Sequence, residues 1–102
     1  MAQTPEAKVK KKVKQYLTTR GIYFTMPFTA GFGANGVPDI LVCYQGKFIA
    51  IECKANGNKP TALQGEHMKR IQRGGGTAVV VDERNVDTML EGLFDDTDDG
   101  RC

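Results

Sequence analysis

An α/β fold, with a mixed central sheet flanked by helices, is predicted by three observations. Two apolar runs, 39–44 and 47–54, meet at Gln45-Gly46, and away from its open end this pair is apolar on both faces. A sheet apolar on both sides needs a layer over each, and here the layers are helices. Stretches with helical apolar spacing flank the pair, and a β-branched run, Thr77-Ala78-Val79-Val80-Val81, follows the second of them. The resulting order is αβββαβ with one more helix at the end.

Thr4 caps the first helix and Pro5 takes its first position, where a missing N–H does no harm. Ala7, Val9, Val13, Tyr16 and Leu17 form its apolar stripe, and the helix ends near Arg20-Gly21. Glu6 shares the Val13 side, since seven residues make almost two turns. An acid aligned with a buried stripe points to a cation or a donor nearby, or else simply favours the helix N-terminus. The stretch 22–26 reads as a short strand. Residues 29–36 follow, and Gly31-Phe32-Gly33-Ala34-Asn35-Gly36 spells GxGxxG. A dinucleotide site needs a helix directly after those glycines, whereas Pro38 and a strand come next, so this is a loop beside the site or a plain connector.

A two-residue turn at Gln45-Gly46 pairs 44 with 47, so that Leu41, Cys43, Phe48 and Ala50 line one face and Ile40, Val42, Tyr44, Ile49 and Ile51 the other. The stretch 56–60 breaks the chain, and Thr61 with Gln64 has capping-box spacing for the second helix. Gln64, Met68 and Ile71 share a side, so Gln64 either points at the site or serves only as the cap. His67, the only histidine, lies off that side and reads as a surface residue. Gly74-Gly75-Gly76 ends the helix. The last helix, from about Asn85, carries Val86, Met89, Leu90, Leu93 and Phe94, a stripe that covers the sheet or in part serves a partner chain.

One domain, residues 1–94, is expected for a chain of 102 residues, with 95–102 an acidic, disordered tail. Composition is that of a soluble protein at 40% apolar and 25% charged, with no run approaching a membrane span and no signal peptide at the start. A cytoplasmic setting follows, and three cysteines without a CxxC pair agree with it. Cys43 and Cys53 face opposite sides of the hairpin and cannot bridge; both are expected to be buried. Net charge of +2 conceals a polarity: residues 1–73 carry twelve Lys/Arg against four Asp/Glu, and residues 74–102 two against eight. Lys10, Lys11 and Lys14 on the first helix and Lys69, Arg70 and Arg73 on the second are candidates for phosphate contacts, the alternative being a solvated charged face.

The chemistry concentrates at the open end of the hairpin. Carrying the pairing on puts Asp39 opposite Glu52, and like charges so placed destabilise a sheet unless something neutralises them. A divalent cation is the simplest neutraliser. Lys54 points to the Glu52 face, because strand side chains alternate. Magnesium takes one or two carboxylates with waters and substrate phosphate oxygens, and the backbone carbonyl of Cys53 could add a third protein oxygen.

Gly36-Val37-Pro38-Asp39-Ile40 with Ile51-Glu52-Cys53-Lys54 resembles the Pro-Asp…(Asp/Glu)-x-Lys nuclease superfamily, in particular its virus-type replication-repair nuclease branch. The resemblance runs from about Glu6 to Val81. It implies a restriction-endonuclease-like αβββαβ core and a magnesium-dependent endonuclease acting on DNA, with manganese able to substitute. Asp39 and Glu52 would ligate the metal, Lys54 would position the attacking water, and Glu6 and Gln64 stand where the family has supporting residues. It further implies a homodimer acting on branched DNA such as four-way junctions, and is compatible with a virus-encoded protein working inside a host cell. Two rivals remain: a non-catalytic DNA-binding module, and a nucleotide-binding protein built on the Gly31–Gly36 loop.

Overall fold

The computed structural model describes residues 3–28 and 36–95. Elements run α1 (Pro5–Thr19), β1 (Tyr23–Thr25), β2 (Ile40–Tyr44), β3 (Lys47–Cys53), α2 (Ala62–Arg73), β4 (Thr77–Val81) and α3 (Val86–Phe94). The sheet order is β1-β2-β3-β4. β1–β2 and β2–β3 are antiparallel and β3–β4 is parallel, which makes the sheet mixed as expected.

Local chemistry fixes the helix ends. The Ala7 N–H donates to Thr4 Oγ1 at 3.1 Å with Pro5 behind it. At the other end Gly21 adopts φ +69°, and the Gly21 and Ile22 N–H groups return to the Thr18 and Leu17 carbonyls, a Schellman closure. That closure consumes Ile22, so β1 is shorter than the 22–26 run suggested. Gln45 and Gly46 both take positive φ, 51° and 77°, as a two-residue turn compatible with strand twist requires. The pairs Ile40↔Ile51, Leu41↔Ala50, Val42↔Ile49, Cys43↔Phe48 and Tyr44↔Lys47 follow, in the register read from the turn.

Covering of the two faces is unequal. Ile40, Val42, Ile49, Ile51, Cys53 and Val81 pack with Val9, Val13 and Leu17 of α1 and Val86, Leu90 and Phe94 of α3. Phe94 is locked by aromatic neighbours: its ring meets Tyr44 edge-on at 5.1 Å, and its carbonyl accepts from the Tyr44 hydroxyl. The apolar stripe of α3 is thus spent within the molecule, with Met89 and Leu93 half-buried against the same core. Of the two uses the sequence allowed for that stripe, the structure takes the sheet-covering one.

On the opposite face α2 lies over β4, with Gln72 Nε2 donating to the Ala78 carbonyl. None of its side chains is fully buried. As the crossover between β3 and β4, α2 stays at their edge of the sheet and leaves the other edge open. There Tyr23, Cys43 and Phe48 form one cross-strand row, and all three are exposed, Tyr23 by 72%. Cys43 therefore does not share the burial expected for it, whereas Cys53 is buried.

Candidate active site

The acid pair forms where the hairpin ladder gives out. Extending the register by one step sets Asp39 against Glu52, and by two steps Pro38 against Cys53. Proline has no N–H to contribute to the ladder. The Asp39 carboxylate instead accepts the Cys53 N–H through Oδ2 at 2.9 Å, which fixes its rotamer across the strand end. Pro38 also cannot offer a donor to the Cys53 carbonyl, the backbone oxygen suggested as a ligand.

Upstream, Gly36 packs hard on α2. At φ +86°, a Cβ there would lie 2.8 Å from Leu63 Cγ and 3.1 Å from His67 Cδ2. Only glycine meets both demands, backbone and space. The contact delivers the chain to Pro38 and Asp39, and it places the His67 ring against the approach to the motif instead of leaving it a free surface group. The remainder of the GxGxxG stretch, 31–35, lies outside the described residues, and with it most of the Gly31–Gly36 loop on which the nucleotide-binding rival was built.

Glu52 is the only buried charged residue among those described, at 1% exposure. Its Oε2 lies 3.4 Å from Lys54 Nζ, and its Oε1 has no hydrogen-bond partner among the described residues. Burial first, and then the charge of Asp39, push the carboxyl up to about 7 against the opposing pull of Lys54. An anionic oxygen left without a partner in such a place is costly, commonly by about 1–3 kcal/mol or more. The orphan oxygen, a second carboxylate beside it and a backbone carbonyl fit a hard divalent cation. The Cys53 thiol does not belong to that set: burial, followed by the charge of Asp39, pushes it up to about 12. No cluster of three or more His, Cys, Asp or Glu side chains suited to a metal occurs among the described residues.

The supporting residues are placed as follows. Glu6, half-buried in the first turn of α1, lines a cleft of about 380 Å³ with Lys10, Ala55, Asn56 and Asn58, and its charge reaches the Cys53 thiol. Gln64 closes the capping box of α2, its Oε1 accepting from the Thr61 N–H at 2.9 Å. That oxygen is committed to the helix start. Of the basic residues, Lys11 and Lys14 stand exposed along the outside of α1, as do Lys69, Arg70 and Arg73 along α2, with Arg73 Nη1 3.9 Å from Glu66. Lys10 is different. Its Nζ lies 3.6 Å from Asp39 Oδ1, inside the site and not on the outer lysine face.

One residue had drawn no attention in the sequence. Glu83 accepts the Asn56 N–H with both carboxylate oxygens, at 3.3 and 3.2 Å, and so clamps the turn that follows Lys54. Asn56 itself sits at φ +57°. The Asn56-Gly57 pair marks a turn, but only the fold brings residue 83 to it. The position of Lys10 did have a signal, because it lies one helical turn from Glu6, on the side already assigned to the site.

No protein-family model matches the chain. A curated phage protein, "Putative nuclease p44" of Acyrthosiphon pisum secondary endosymbiont phage 1, is 41% identical over 59 residues, 57% of this chain. The match spans 63% of that relative's length. Among solved structures, one described as "VRR_NUC domain" superposes with a TM-score of 0.73 at 25% identity, over 90% of this chain and all of the other. A "VRR_NUC domain protein" gives 0.68 at 20% identity, over 93% and 92%. The fold and the hairpin site define a nuclease-type α/β domain. More narrowly, its fold is that of the virus-type replication-repair nuclease, or VRR-Nuc, domains it superposes on. No helix among the described residues is long and apolar enough to cross a membrane.

Proposed function

We propose that this chain is a metal-dependent endonuclease that hydrolyses DNA phosphodiester bonds and selects branched DNA, four-way junctions in particular. The observation that carries the reading is the buried Glu52 carboxylate, one oxygen unpartnered, set across the hairpin from Asp39. A fold selected only for stability would not keep a buried acid next to a second acid. Magnesium, or manganese in its place, would be held by Asp39, Glu52 and the Cys53 carbonyl, where it would activate water and offset charge on the phosphate.

The rest belongs to the side chains. Asp39, oriented by the Cys53 N–H, presents Oδ1. Lys54, held against Glu52 and only 12% exposed at its side chain, is placed to orient the attacking water and to balance the charge that the phosphate gains in the transition state. Glu6 borders the same region from α1, and Gln64 stands at the start of the helix that Gly36 touches. Lys11, Lys14, Lys69, Arg70 and Arg73 supply cations for a polyanionic backbone. The junction preference and the homodimer rest on size and symmetry: so small a domain has one site and little surface for a branched substrate, whereas a twofold dimer presents two sites to two strands.

The test is incubation with labelled linear, flapped and four-way DNA, with and without magnesium or manganese. Metal-dependent cleavage, fastest on the junction and in paired nicks, is the expected result. Binding to DNA without cleavage under any metal would leave a non-catalytic module.

A further inference from the structure

Asp39 has two carboxylate oxygens with different partners. Oδ2 takes the Cys53 N–H, so Oδ1 is the oxygen left for a cation, and Lys10 Nζ stands 3.6 Å from it. The contact is long for an ion pair that also donates a hydrogen bond. Both side chains keep some solvent access, 31% for Lys10 and 21% for Asp39, so the ammonium can leave without unfolding anything. Lys10 also lines the cleft of about 380 Å³ with Glu6, Asn56 and Asn58. It therefore stands between the acid and an open groove with a polar lining.

We propose that Lys10 is a positioning residue which occupies Asp39 until a divalent metal displaces it, and which then holds a phosphate of the substrate backbone in the adjoining cleft. This rests on the metal reading above. The ammonium and the metal compete for Oδ1, because a lysine cannot remain beside a carboxylate oxygen that a divalent ion has taken. Once released, the side chain stays tethered to α1 beside the cleft, where phosphate is the anion on offer. Metal loading and the grip on DNA thus become linked. Each favours the other, since the reciprocal effect on affinity is a thermodynamic necessity.

The test measures manganese binding to the full chain without DNA, by calorimetry, in the wild type, Lys10→Gln, Lys10→Arg and, as a charge-matched control at the far end of the hairpin, Lys47→Gln. Lys10→Gln should bind manganese roughly twofold to fivefold more tightly, the range that one partly exposed ion pair is worth. Lys10→Arg and Lys47→Gln should match the wild type. Lys10→Gln should also weaken DNA binding in calcium but leave it nearly unchanged in chelator. In the wild type, magnesium should move the Lys10 ε-CH₂ NMR signal with the same midpoint as the Asp39 carboxyl, a measurement that does not depend on any variant folding. Manganese affinity unaffected by Lys10→Gln, or a Lys10 signal indifferent to magnesium, overturns the proposal while leaving the metal site standing. Absence of manganese binding in every protein overturns the metal reading and this one with it.

Discussion

Glu52, the acid on which the proposed chemistry rests, is at the same time a burden on the fold. Its carboxyl is raised to about 7 by burial and by Asp39, well above an exposed glutamate. Between the ordinary glutamate range and about pH 7, the unfolded chain has lost this proton and the folded chain keeps it. The folded state then binds more protons, so stability falls as pH rises through that window and levels off above it. Glu52→Gln should accordingly raise the melting temperature at pH 8 and change it little at pH 4; equal shifts at both would show that ionisation of Glu52 is not what strains the fold. Cleavage should show the opposite trend. At limiting magnesium the rate should climb with pH through about 7, with the midpoint sliding lower as magnesium is increased, because the cation favours the carboxylate. Asp39→Asn, Glu52→Gln and Lys54→Ala should each cut the single-turnover rate by at least about 10²-fold with DNA affinity nearly intact, the pattern of groups that act on the transition state. Undiminished cleavage by any of the three removes that residue from the mechanism.

At the level of elements, the helices divide the labour. α1 contributes Val9, Val13 and Leu17 to the core, Glu6 and Lys10 to the site region, and Lys11 and Lys14 to the outside. Neutralising Lys11 and Lys14 together should weaken DNA binding and flatten its dependence on salt, each lost phosphate contact lowering the logarithmic slope by about 0.9 on duplex DNA. An unchanged slope returns both to a merely solvated face. α2 has no fully buried residue and is held by its capping box and by contacts such as Gly36 against Leu63. Thr61→Ala should cost about 1 kcal/mol of stability, read from urea unfolding. Gly36→Val should cost more and should also lower the cleavage rate, since it forces Leu63 away from the segment that delivers Asp39; full activity in that variant would uncouple α2 from the site.

For the molecule as a whole, the question is what the sheet leaves uncovered. Helices α1 and α3 close one face, and α2 closes only the β3–β4 side of the other. The buried stripe of α3 makes that helix a poor candidate for a dimer interface, so assembly must be argued from function and not from leftover apolar helix. Static light scattering at micromolar concentration should give the mass of a dimer, and four-way junctions should be cut faster than linear duplexes. A monomer that cleaves linear DNA equally fast would leave a general nuclease in place of a junction-resolving one.

Sequence alone settled whatever depends on near neighbours in the chain. The Gln45-Gly46 turn forces the pairing, the pairing sets Asp39 against Glu52, and strand alternation turns Lys54 to the same face; each step spans a few residues and permits one geometry. The caps at Thr4 and Thr61 were legible for the same reason. What the sequence left open depends on which helix lies over which strands. Cys43 looked like a core residue because its strand is apolar, yet α2 lies over β4, at the far edge of the sheet, and leaves it exposed. The α3 stripe could have met a partner or the sheet, and only packing chose. Lys10 and Lys11 are adjacent and chemically identical, but the 100° between them on a helix sends one to Asp39 and the other to solvent. Glu52 could be read as an acid on a strand, but its raised proton affinity arises from desolvation by the whole fold, a sum over surroundings that no local pattern encodes.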